Sequence, residues 1–288
     1  MPIVLALLAS VLYGTADFIG GLGSRRMGTF AVSIVSQCTG VLVILTLAAL
    51  LGARHVSQRD LLWGAAAGFT GIGGLLLLYH GLAQGPMSVV APTTALCSMA
   101  LPVLVGLALG ERPSRSAVAG AGLAVLAVLL ISQQGLPDGA SEDRHRRVGR
   151  AVAISLLAGV LIAMFLVCFA RTSRDAGYWP LVVGRLASFS SVLLLVAVRR
   201  ERDITGRWRR APRGTLALVV LAGALDNVAN VFYTTAARVH YLSITAPLAS
   251  LYPAATVLLA RYTLDERLRR VQVVGLAAAG AAIVLMTL

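Results

Sequence analysis

Ten stretches of about twenty mostly apolar residues fill this chain, with arginine gathered in the gaps between them. Hydrocarbon about 30 Å thick needs about 20 residues of helix to cross it. A backbone inside it must satisfy its own hydrogen bonds, and a helix does so. The pattern predicts an all-α membrane protein. The spans fall at 2–22, 29–52, 60–82, 86–110, 115–134, 149–170, 178–198, 214–238, 241–262 and 268–288. Met1 opens directly onto an apolar run with no basic residues before it, which reads as a membrane helix rather than a secretory signal.

Charge supports that class. Only 13% of the 288 residues are charged, about half the usual soluble share. The net charge of +13 sits in short loops, where anionic lipid headgroups are the expected partner, not nucleic acid. All 25 basic residues are arginine, which excludes a lysine Schiff base or nucleophile. Cys38, Cys97 and Cys168 fall inside apolar spans and offer no disulfide framework or zinc spacing. No cofactor or metal motif is present, nor a Walker loop, HExxH or GxSxG.

The halves of the chain resemble one another. An offset of 155 aligns Ser88 with Ser243, Ala91-Pro92 with Ala246-Pro247, Glu111-Arg112 with Glu266-Arg267 and Gly120 with Gly275. The polar stretch 135–148 separates residues 1–134 from 149–288. Five spans per half is an odd number, so the second half must run opposite to the first. Inverted repeats of this kind are a common plan for secondary transporters, with the substrate site near the midplane. Loops after odd-numbered spans carry 17 arginines and those after even-numbered spans carry 7, which places both termini outside by the positive-inside rule.

These residues also carry a resemblance. Tyr13-Gly14 with Asp17-Phe18, Ala91-Pro92 followed by Pro102, Leu109-Gly110-Glu111-Arg112, and the second copies Ala246-Pro247 and Leu264-Asp265-Glu266-Arg267 make the chain resemble the ten-helix EamA type of the drug/metabolite transporter superfamily. The resemblance implies a secondary transporter, often an exporter of amino acids, metabolites or drugs, with a central cavity between the halves. It also implies cytoplasmic termini, against the arginine count. Arg185 matches an arginine common early in the second helix of a repeat, whereas the first copy has Gln37 there.

Charge inside hydrocarbon is costly and normally faces a cavity or a partner. Asp17, His80, Arg185 and Asp226 are the candidates. Helical rise puts Arg185 and Asp226 at depths a long side chain can bridge, and Asp17 deeper. Asp226 reads equally as a proton or amine site and as a permanent ion-pair partner. Arg185 reads as that partner or as a carboxylate binder. Asn227 and Asn230 add amides, and Asn230 shares a face with Asp226. Tyr79, Tyr233 and Tyr252 are candidates to line a cavity. Glu111 and Glu266, at matching helix ends, read as loop anchors paired with arginines or as gates. Pro92 and Pro247 interrupt backbone hydrogen bonds and shape the path. Gly64 and Gly68 form a GxxxG packing pair.

The expected function is secondary active transport of a small organic metabolite, amino acid or drug by alternating access, outward and with protons as a candidate coupling ion. Expected partners are the small-molecule substrate and membrane lipids, in a plasma-membrane monomer or homodimer. The alternatives are a membrane-embedded enzyme acting on a lipid-linked substrate and a non-transporting scaffold or sensor.

Overall fold

The structure is a computed structural model that describes residues 1–84, 87–132, 142–198, 211–212, 214–264 and 270–287. Among the described residues it is entirely helical. The helices are α1 (Pro2–Met27), α2 (Thr29–Leu51), α3 (Gln58–Gln84), α4 (Met87–Ala108), α5 (Arg115–Ser132), α6 (Glu142–Ala170), α7 (Trp179–Val198), α8 (Thr215–Ala237), α9 (Leu242–Ala249), α10 (Tyr252–Leu264) and α11 (Arg270–Thr287). Among the described residues, seven segments are long and apolar enough to cross a membrane: α1, α2, α3, α7, α8, Gly149–Ala170 within α6, and Leu242–Thr263 across α9 and α10. The other three expected spans hold shorter apolar helices, Thr93–Ala108, Arg115–Ala127 and Arg270–Met286.

Local chemistry sets the boundaries. Pro2 starts α1 where a missing N–H costs nothing. A single residue, Gly28, then ends α1 and begins α2 at φ 83°, a conformation L side chains rarely adopt. Ser57 and Asp60 form a reciprocal capping box at the start of α3, where Asp60 N–H donates to Ser57 Oγ and Ser57 N–H to Asp60 Oδ2. Hydroxyls along the spans turn back onto their own helices, as Thr39 does to the Val35 carbonyl, which satisfies them without water.

The outer surface is apolar. Leu42, Leu50, Leu62, Phe69, Leu104 and Leu194 are each more than 60% exposed. A surface of this kind suits lipid rather than water.

Helix contacts pair off when the halves are exchanged. α1 packs on α8 as α6 packs on α3, and α2 packs on α8 as α7 packs on α3. α2 against α7 and α5 against α11 map onto themselves. The α3–α7 contact shows how small residues permit this. A Cβ on Gly68 would overlap the Gly184 carbonyl oxygen, and one on Gly64 the Pro180 carbonyl oxygen. The two glycines therefore bring backbone against backbone, as the GxxxG spacing predicts.

The fourth and ninth spans differ. α4 is continuous from Met87 to Ala108, whereas the expected ninth span, 241–262, breaks at Ser250-Leu251 into α9 and α10. Pro247 lies inside α9, and Pro253 follows the break two residues on. Each removes a backbone donor. Glu266 and linker residues 135–141 lie outside the described residues, and Pro92 is described only as a backbone position in α4.

Candidate functional site

A cavity sits midway along the helices, walled by both halves. Tyr13 and Asp17 come from α1, Gln37 from α2, Gly71, Leu75 and Leu78 from α3, Ile162, Phe165 and Leu166 from α6, Arg185 and Ser188 from α7, and Asp226 from α8; Ala249, Ser250 and Tyr252 surround the α9–α10 break. It measures about 70 Å³ for the centre of a water-sized sphere, room for a few waters or a small head group.

A chain of bonds crosses its wall. Arg185 Nη2 donates to Asp226 Oδ2 at 2.6 Å, and Nη1 donates to Gln37 Oε1 at 3.2 Å. Asn230 Nδ2 donates to the Asp226 carbonyl at 2.6 Å and to Asp226 Oδ2 at 3.2 Å. The Tyr13 hydroxyl donates to Asn230 Oδ1 at 2.8 Å. Four helices from both halves are tied together by one neutral ion pair and its amide partners. The Arg185–Gln37 bond joins α7 of one half to α2 of the other.

Asp17 differs from Asp226. It is 8% exposed and lines the cavity, yet it makes no hydrogen bond or ion pair among the described residues. The Tyr252 hydroxyl, in a residue 5% exposed, is buried beside the Ser98 hydroxyl. The wall thus carries two carboxyl groups and one guanidinium.

The other sequence candidates are placed elsewhere. Asn227 is fully buried against Gly40 and donates to the Gly223 carbonyl at 2.6 Å. Tyr79 packs its ring on Gly20, and Tyr233 donates to the Leu166 carbonyl at 3.1 Å. None of these three lines the cavity, and His80 does not either. Residues that the sequence reading did not nominate do line it: Tyr13, Gln37, Phe165, Ser188 and Ser250. Tyr13 was recoverable, because it lies four residues before Asp17 and so shares its face.

A second cluster closes one end of the bundle, where the loops after α2, α4, α6 and α8 meet. Asp60 Oδ1 accepts from Ser173 N–H at 2.6 Å, and Oδ2 from the Ser57 and Ser173 hydroxyls at 2.5 and 3.1 Å. The Arg54 and His55 N–H groups donate to the Asp175 carbonyl at 2.9 and 3.1 Å. Arg238 donates through Nε and Nη2 to Thr172 Oγ1 and through Nη1 to the Gly177 carbonyl at 2.6 Å. Glu111, expected to pair with an arginine or to gate, accepts the Leu242 and Ser243 N–H groups on Oε1 and Oε2, each at 2.9 Å. It thereby caps α9 of the other half, where a negative charge suits the helix N-terminus. The Asp60, Asp175 and Glu111 contacts each join the first half to the second.

Comparison with known proteins bears on this arrangement. The sequence matches the EamA-like transporter family over residues 1–133 and again over 149–288. Twenty-nine chains of solved structures match. Among them is one described only as "Crystal structure of protein", at TM-score 0.70 and 17% identity over 99% of this chain and 96% of that one; the likeness extends to the fold alone. No curated protein matches. Because the family match covers both halves, the chain belongs to the EamA-like transporter family and is a multi-pass membrane protein whose family moves small molecules.

Proposed function

We propose that this chain is a secondary transporter that exports a small organic solute across the plasma membrane by alternating access. In this reading ten spans form two inverted five-helix repeats, 1–134 and 149–288, joined by linker 135–148. The two halves rock about an axis between α2 and α7. The observation that carries the reading is the mid-span cavity, walled from both halves and holding Asp17, Arg185 and Asp226. Buried charge at that depth is costly and is characteristic of solute and ion pathways.

The clasp around Asp60, Asp175 and Glu111 supports the same reading. It fastens the halves at one end of the bundle with bonds that a rocking motion must break and remake. These bonds are short, local and mostly neutral-to-charge, so each contributes modestly and the whole stays reversible.

Arg185 and Asp226 set the cavity's geometry in this scheme, and Asp17 takes the solute or the coupling proton. The test is flux in proteoliposomes, measured with and without an imposed pH gradient. Solute movement accelerated by the gradient supports proton coupling. Movement without acceleration supports exchange. No movement of any screened amine, amino acid or metabolite sinks the reading.

A further inference from the structure

We propose, resting on the transport reading above, that the cavity selects a small organic monocation: an amine with an apolar body and no carboxylate of its own. Four observations lead there.

The guanidinium is already committed. Arg185 gives Nη2 to Asp226 and Nη1 to Gln37, so an incoming carboxylate would have to displace a buried charge-assisted bond. That disfavours anions and zwitterions.

The unengaged group is an acid. Asp17, buried and unpartnered among the described residues, offers a carboxylate to whatever enters. A buried carboxylate without a countercharge is stabilised by a ligand cation. The other charged and titratable groups around it are Tyr13, on its own helix; Tyr79 from α3; Asp226 from α8, whose charge Arg185 of α7 balances; and Tyr252 from α10. None of them supplies Asp17 with a cation.

A second polar group waits nearby. The Tyr252 hydroxyl lies in the same wall, at the α9–α10 break, with the Ser98 hydroxyl as its neighbour, and its oxygen can accept a second ammonium N–H.

Beside the Ser188 and Ser250 hydroxyls, most of the remaining wall is apolar or aromatic. Leu75, Leu78, Ile162 and Phe165 face a hydrocarbon body, and the Tyr13 and Tyr252 rings suit a nearby cation. A charged head against Asp17 with a hydrophobic tail against α3 and α6 satisfies every part of the surface.

The experiment uses the purified full chain in lipid nanodiscs and three probes of one shape: phenethylamine, phenethyl alcohol and phenylacetate. Equilibrium binding is expected to favour the amine over the alcohol by about tenfold or more, the amount one buried charge-assisted bond supplies, with phenylacetate weakest. Asp17→Asn is expected to erase the amine preference while leaving the alcohol's affinity unchanged. Tyr252→Phe is expected to weaken the amine a few-fold and retain the preference. Failure of the amine to bind, absence of a preference over the alcohol, or a preference that survives Asp17→Asn overturns the proposal. Proteoliposome flux separates this outcome from failure of the broader reading. Transport of phenylacetate or of a zwitterion without amine binding leaves a carrier with a different substrate, whereas no flux for any solute removes the carrier itself.

Discussion

The mid-span cavity and the clasp at the bundle end use the same residue types for opposite ends. At the clasp the Asp60 and Glu111 carboxylates are both engaged by the chain. Asp60 accepts four hydrogen bonds from Ser57 and Ser173, and Glu111 caps α9 with both oxygens. In the cavity Asp226 is matched by Arg185, but Asp17 is left without a hydrogen bond or ion pair among the described residues. Saturated acids hold structure; an acid kept unsatisfied at a cost in stability points to a ligand. The two regions should therefore respond in opposite ways to mutation.

The largest effect on stability is expected where a buried charge loses its only countercharge. Asp226→Asn leaves the Arg185 guanidinium unpaired and should cost about 3–5 kcal/mol. Unfolding of the detergent-solubilised chain checks this, and the double variant Arg185→Leu/Asp226→Leu should recover most of the loss. If Asp226→Asn is as stable as the parent, the pair is not the structural tie assigned to it.

Next comes the clasp. Asp60→Ala strands the Ser173 N–H and the paired hydroxyls and should cost about 1–3 kcal/mol in the same assay. Glu111→Ala removes a helix cap supplied from the other half and should cost about 1 kcal/mol. Its hydrogen-exchange signature should be specific, with faster exchange at Leu242 and Ser243 and little change in α3.

The smallest stability change is expected at Asp17. Asp17→Asn removes an acid that no described residue engages, so the folded chain should lose less than about 0.5 kcal/mol or gain slightly. Flux should nevertheless fall to background. Stability lost at Asp17 on the scale of Asp226 would erase the distinction between the two sites.

The distinction was half legible in the sequence. Asp17, Arg185 and Asp226 were recoverable because each interrupts an apolar run, where charge must be explained. Rise per residue put Arg185 and Asp226 at depths their side chains can bridge, but left Asp226 open between an ion-pair partner and a proton or amine site. The tyrosines were less legible. Tyr79 and Tyr233 carry the same chemistry as Tyr13 and Tyr252, but which face of a helix meets the cavity depends on how the helices rotate against one another. Asn227 illustrates the point: one residue from Asp226, it turns about 100° away and packs on Gly40. The break between α9 and α10 was signalled by Pro247 and Pro253, yet Pro92 and Pro102 lie in a continuous α4, so proline alone does not predict a break. Glu111 was read against neighbouring arginines because its true partners lie about 130 residues later. The capping box at Ser57 and Asp60 had a readable spacing that went unused, masked by the apolar span beginning beside it.

Alternating access requires the clasp to open. Ser57 and Ser173 both reach Asp60 Oδ2 with their hydroxyls, which places them within reach of a short cross-linker. Ser57→Cys/Ser173→Cys, in a background with Cys38, Cys97 and Cys168 replaced by alanine, can be bridged by a cleavable bifunctional thiol reagent in proteoliposomes. The account predicts that bridging stops flux and that cleaving the bridge restores it. Flux at the full rate with the clasp locked would contradict it.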